Sequence, residues 1–145
     1  MAGYNFKLEK LLNYKEKIED IKKAEFAETS HKLNLEEERL LYFNNYKENL
    51  LKRKKASNVA SVSQYKLYSN YIYDISKIIE NQKKVVEGTK KELNKVQEEL
   101  IVAMQERKSF EKLKELKYEE YLSDIKKKED NMIDGIVTFR TNTQK

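Results

Sequence analysis

The sequence predicts an all-α fold, a long antiparallel two-helix coiled-coil hairpin. Three observations predict it. Two long stretches carry apolar residues at heptad spacing, no proline interrupts either, and an uncharged, serine-containing stretch separates them. Composition agrees: 38% of the 145 residues are charged, mean hydropathy is −0.91, and only three glycines occur. A globular domain of this length normally has more apolar mass and more turn residues.

The first helix is expected over about residues 5–55. Its early seam reads Tyr4, Leu8, Leu11, Tyr14, Ile18, Ile21, then skips phase through Phe26 and resumes at Leu33, Leu40, Phe43, Tyr46/Lys47 and Leu50. A skip of this kind locally disturbs a supercoil. Glu16, Lys17, Asp20, Lys22 and Lys23 fall off that seam. A connecting region follows over about 56–65, ten residues without charge, in which serine, asparagine and valine weaken helix propensity. A chain reversal is expected here, because two seams in one chain bury each other most simply as a hairpin.

The second helix is expected over about 66–134. Its seam is the clearer: Ile75, Ile79, Gln82, Val86, Thr89, Leu93, Val96, Leu100, Ala103, Arg107 and Phe110 step by four and three without an error. That places them on one stripe of a helix underwound to about 3.5 residues per turn. Beyond Phe110 the stripe turns polar, through Lys114 and Lys117 to Tyr121 and Asp124. Gly88 sits inside the helix, and Gly135 is placed as its terminator. The tail, 136–145, is expected to fray. The whole chain reads as a single coiled-coil domain, with part of the longer second helix protruding unpaired.

Chemistry-bearing constellations are missing from the sequence. His31 is the lone histidine and there is no cysteine, so neither a histidine cluster nor a thiolate metal site can form. Gly88-Thr89-Lys90 lacks the upstream glycine of a phosphate-binding loop, since position 83 is Lys83. No catalytic, cofactor-binding or metal-binding residue is therefore assigned, and the expectation is a protein that is not an enzyme. Thirty Lys and Arg interleaved with 25 Asp and Glu fit solvated helix faces better than a nucleic-acid footprint. The first residues, with Lys7, Glu9 and Lys10, lack the apolar core of a secretory signal, and the longest apolar run, Leu100–Met104, is too short to span a bilayer.

One cluster stands out. Arg39, Phe43, Tyr46 and Leu50 on the first helix step by four, three and four, and Tyr68, Tyr71, Ile72, Tyr73, Ile75 and Ile78 crowd the start of the second. Such residues either pack the loop end of the hairpin or form an exposed docking patch.

The chain resembles the FliJ family, soluble coiled-coil components of the flagellar type III export apparatus. Four features carry the likeness: Phe6-Lys7-Leu8-Glu9-Lys10-Leu11-Leu12 with Lys15-Glu16; Tyr68-x-x-Tyr71-Ile72-x-x-Ile75 with Gln82; Glu106-Arg107-Lys108 with Lys112-Leu113-Lys114-Glu115; and Tyr118-x-x-Tyr121 leading to Lys128-Glu129 and Asp134. The family often has an acidic residue after that final Asp, where this chain has Gly135.

The resemblance implies a fold similar to the central stalk of rotary ATPases, with adjacent termini entering a hexameric ring. The implied partners are the flagellar export ATPase hexamer and the cytoplasmic domain of the membrane-embedded export gate, with an ATPase regulator and export chaperones as further possibilities. The implied role is to promote assembly and activity of the ATPase and couple it to the gate, in flagellum biogenesis, protein export, motility and chemotaxis. The implied location is cytoplasmic, peripheral to the inner membrane at the flagellar base. The implied gate-docking residues are Arg39, Phe43, Tyr46, Leu50, Tyr71, Ile75, Ile78 and Gln82. The implied ring contacts are Leu8, Leu11, Leu12, Arg107, Lys108, Lys112, Lys114 and Lys128. The alternative is a generic coiled-coil spacer or homodimer, with a nucleic-acid-binding hairpin more remote.

Overall fold

A computed structural model of the chain describes residues 3–56 and 62–143. Two helices account for nearly all of them: α1 over Glu9–Ala56 and α2 over Val62–Thr143. No strand occurs among the described residues. The chain divides into two compact units, Met1–Asp20 with Val102–Lys145, and Ile21–Ile101.

In each unit the α1 and α2 segments run antiparallel, as partner numbers show. In the first unit Glu9 meets Lys114 and Lys15 meets Glu106. In the second, Lys22 meets Glu99, Lys32 meets Glu92, and Glu36 meets Gln82. The core of the second unit is Leu50, Ile75 and Ile79, covered by Leu40, Phe43, Tyr68 and Ile72. It is thin, as two helices must make it: no large side chain in the described chain is fully enclosed.

The α2 seam lies where its spacing predicts. Ile75, Ile79, Gln82, Val86, Thr89 and Ala103 are buried, and Leu93, Val96, Leu100, Arg107 and Phe110 are half-buried. The α1 seam follows the expected line from Phe26 through Leu33, Leu40, Phe43, Lys47 and Leu50, but not before it. Leu8, Leu11, Tyr14 and Ile21 face solvent. The inward positions are instead Leu12, Lys15, Glu19, Lys22, Phe26, Thr29, Leu33, Glu36, Leu40, Phe43, Lys47, Leu50 and Lys54, which step by three and four without a skip. The anticipated phase skip is absent because the helix keeps one phase and accepts charged side chains on it. Lys15, Glu19 and Lys22 meet opposite charges from α2 and Glu36 meets Gln82, so Lys22, expected on the outer face, belongs to the interface.

Element ends also differ from the sequence reading. Residues 5–8 precede α1 and are not helical. The expected connection over 56–65 is shorter, because Ala56 closes α1 and Val62–Tyr65 already belong to α2; residues 57–61 lie outside the described chain. Gly135 does not end α2, and the tail through Thr143 is helical. Gly135 lacks the positive φ of a helix-terminating glycine. No proline follows, and a glycine inside a helix costs only about 1 kcal/mol against alanine. Thr138 and Thr141 also donate hydrogen bonds to the carbonyls four residues back, Asp134 and Val137.

Candidate functional site

Two regions present side chains that the folding of the hairpin does not use. One is in the unit that holds both ends of the chain. Here the segment before α1 lies along α2. The Tyr4 ring meets Tyr118 edge-on at 5.2 Å and Tyr121 at 5.3 Å, and its hydroxyl approaches the Lys114 carbonyl at 3.5 Å. Phe6 is buried, and its carbonyl accepts the Glu9 amide at 3.1 Å, which starts the helix. Gly3 adopts φ +88°, and a Cβ at this position would stand 3.1 Å from the Tyr121 hydroxyl. Both conformation and space therefore favour glycine there.

Behind this aromatic fastening lies a charged stretch of seam. The Arg107 guanidinium bonds Glu19, which is almost fully buried, and Glu111 at 2.8 Å. The Glu19 bond, then the Glu111 bond, hold the Arg107 pKa above its ordinary value. Further along α2 the pairing stops. From Lys126 to Thr143 every residue is exposed, including Met132, Ile133, Ile136, Val137 and Phe139. At helical spacing Met132, Ile136 and Phe139 share one face, with Ile133 and Val137 beside it.

The second region lies in the other unit, near the chain reversal. Phe43 is half-buried and stacks edge-on with Tyr42 at 5.9 Å, while Tyr46, Tyr71, Tyr73 and Ile78 are exposed. In the same unit Lys22 Nζ lies 2.8 Å from Glu99 and 3.2 Å from Glu25. The Glu99 bond, then that to Glu25, raise the Lys22 pKa, and the same Lys22 contact lowers that of Glu99. No group of three or more His, Cys, Asp or Glu that could hold a metal occurs among the described residues. None of the helices described is long and apolar enough to cross a membrane.

The family model described as "Flagellar FliJ protein" matches residues 4–145. The chain belongs to the FliJ family. A curated relative, the flagellar FliJ protein of Bacillus subtilis (strain 168), is 29% identical over 137 residues, covering 92% of each chain. No solved structure matches significantly. Membership of the FliJ family makes the chain a component of flagellar protein export.

Against the structure, the FliJ-derived residues separate into two kinds. Of the gate-docking set, Arg39, Tyr46, Tyr71 and Ile78 are exposed and Phe43 is half-exposed. Leu50 and Ile75 lie in the core, and Gln82 is buried, donating to the Glu36 carbonyl at 2.9 Å and its carboxylate at 2.6 Å. Those three pack or pin the hairpin and offer no surface. Of the ring-contact set, Leu8, Leu11, Lys108, Lys112 and Lys128 are on the surface. Leu12 is buried, and Arg107 and Lys114 are paired with Glu19 and Glu9. Sequence reasoning missed Glu19 and the exposed face around Ile136. The first could have been found by asking which acid lies opposite Arg107 in an antiparallel register. The second was hidden by taking Gly135 as a terminator.

Proposed function

We propose that this protein is a non-enzymatic stalk of the flagellar export apparatus. It binds the export ATPase hexamer through the unit carrying both termini, promotes its assembly and activity, and couples it to the cytoplasmic domain of the export gate through the region near the chain reversal. The observation that carries this reading is the fastening of the N-terminal segment to α2 by Tyr4, Tyr118 and Tyr121, in the unit that holds both end segments of the chain, followed by an α2 segment whose apolar face is uncovered among the described residues. Leu8, Leu11, Lys108, Lys112 and Lys128 add exposed apolar and basic groups to that unit. An acidic ring lumen would attract them. Arg39, Phe43, Tyr46, Tyr71 and Ile78 form the gate-facing patch in this proposal, with the aromatics as anchors. Location at the cytoplasmic face of the inner membrane and contacts with an ATPase regulator or export chaperones follow from the same reading.

The test is titration of the full chain into the purified cognate ATPase. Hydrolysis and the hexamer fraction should both rise, and replacing Met132, Ile136 and Phe139 with Ser should reduce the effect at least about tenfold without loss of helicity, as expected for apolar anchors. No effect of the unaltered chain at saturation refutes ring binding. Retained stimulation by the triple variant refutes the role given to the uncovered face.

A further inference from the structure

The net charge of this chain comes from one place. Residues 49–73 hold five cations, Lys52, Arg53, Lys54, Lys55 and Lys66, and no acid; the remaining 25 Lys and Arg are matched by 25 Asp and Glu. The whole +5 therefore surrounds the chain reversal, where α1 ends at Ala56 and α2 starts at Val62. Lys52, Arg53, Lys55 and Lys66 are exposed, and among the described residues none of these four is in an ion pair. Elsewhere, cations such as Lys15, Lys22 and Lys114 meet acids across the helices.

Helix capping explains only part of this. Arg53, Lys54 and Lys55 occupy the last turn of α1, where cations offset the negative end of the helix dipole. The same reasoning asks for acids at the start of α2. Its first turn has none, and Lys66 sits one residue beyond that turn. The arrangement works against α2 while raising the positive potential of the reversal. Apolar groups share this end: Leu51, Val62, Tyr65 and Leu67 are all exposed, and Lys54 Nζ lies 4.4 Å above the Tyr65 ring.

The direction of the cations indicates the shape of the partner. Lys52, Arg53 and Lys55 fan around the exposed side of α1 within about 5 Å along its axis, while Lys54 turns inward over Tyr65. A partner lying along one face of the helix would reach only some of them. A broad anionic surface reaches all three exposed ones. Nucleic acid would engage the cations but leave the aliphatic Leu51, Val62 and Leu67 in water.

We propose that the reversal end of the hairpin binds the headgroup surface of an anionic lipid bilayer. The cations face the phosphates, and Leu51, Val62, Tyr65 and Leu67 enter the interfacial layer. With no helix fit to span a bilayer among those described, the contact is peripheral. This proposal does not rest on the ATPase reading, and it stands or falls separately in a system without ATPase or gate.

The experiment is co-sedimentation of the full chain with phosphatidylcholine vesicles with and without phosphatidylglycerol. Binding should require phosphatidylglycerol. Each basic residue near such a surface contributes about fivefold in partition, so Lys52→Gln, Arg53→Gln, Lys54→Gln and Lys55→Gln together should weaken it at least about a hundredfold. A control carrying Lys83→Gln, Lys84→Gln, Lys90→Gln and Lys91→Gln loses the same charge from exposed positions of α2 and should bind as the unaltered chain does. Circular dichroism establishes that both variants remain helical. Since the chain has no tryptophan, Tyr65→Trp should report insertion by a blue shift on phosphatidylglycerol vesicles alone. Four results would each overturn the proposal: equal binding to uncharged vesicles, equal loss in the control variant, unshifted emission from the Tyr65→Trp variant, or tighter binding to a single-stranded oligonucleotide than to vesicles.

Discussion

Replacing Leu50 with alanine separates packing from docking in the region near the chain reversal. Leu50 is only 4% exposed and packs with Ile75 and Ile79. The change removes three carbon groups, worth about 2.4 kcal/mol at about 0.8 kcal/mol each. Leucine-to-alanine changes in cores cost about 2–5 kcal/mol because a cavity remains. Here the cavity is open to collapse, since the core is only two helices wide, and the expected cost is about 2–3 kcal/mol. With an unfolding entropy of about 2.1 cal/mol/K per residue, a 145-residue chain should lose roughly 8 °C in melting temperature. Tyr71, by contrast, is 47% exposed. Its replacement by alanine should cost under about 0.5 kcal/mol, or less than about 2 °C. Thermal unfolding followed by circular dichroism reads both. An unchanged melting temperature for Leu50→Ala, or a loss for Tyr71→Ala as large as that for Leu50→Ala, would refute this division between core and surface.

Two further predictions concern charges on the seam. Glu99 has a lowered pKa, so its contribution is present above the usual carboxylate value of about 4.3 and is lost as pH falls through its folded value. Lys22 has a raised pKa, so its contribution is complete below about 10.4 and is lost as pH rises through its folded value. Melting temperature against pH should therefore fall at both extremes, and Glu99→Gln should flatten the acid limb; an acid limb of unchanged steepness would show that the pair does not contribute. Glu19→Arg and Arg107→Glu should each lower the melting temperature, and the double exchange should recover most of the loss. A double variant no more stable than the worse single one would rule out direct coupling.

The difference between the two seams explains what the sequence made legible. On α2, Ile75, Ile79, Val86, Leu93, Val96 and Leu100 mark the inward stripe with apolar residues, and burial follows the spacing. On α1 the inward stripe passes through Lys15, Glu19, Lys22, Thr29 and Glu36, while Leu8, Leu11, Tyr14 and Ile21 look outward. A search for apolar periodicity follows the latter and must invent a phase skip to rejoin Leu33. A charge on a seam cannot be told from a solvated charge until its partner is known, and the seam role of Glu19 emerges from Arg107, 88 residues away. The aromatic cluster was legible as composition but not as surface: nothing in the spacing of Leu50 and Tyr46 separates a core residue from an exposed one. The fastening of Tyr4 to Tyr118 and Tyr121 depends on Gly3 and a non-helical lead-in, neither of which leaves a periodic trace.

The placement of the Leu50–Ile75–Ile79 cluster bears on how the hairpin closes. Leu50 and Ile75 are separated by a short stretch of chain, whereas Lys114 meets Glu9 across 105 residues. Loop-closure entropy grows with the length enclosed, so the contacts nearest the reversal form at the least entropic expense. Once they hold, each further seam pair closes only a small additional loop. Loop entropy therefore predicts closure from the reversal towards the contacts that enclose the longest loops, with local opening in the reverse order, which hydrogen exchange would read. The aromatic clasp around Tyr4 encloses more than 110 residues, so it is expected to engage last and release first. Its three rings therefore serve as a latch for the end of the molecule that topology alone leaves loosest.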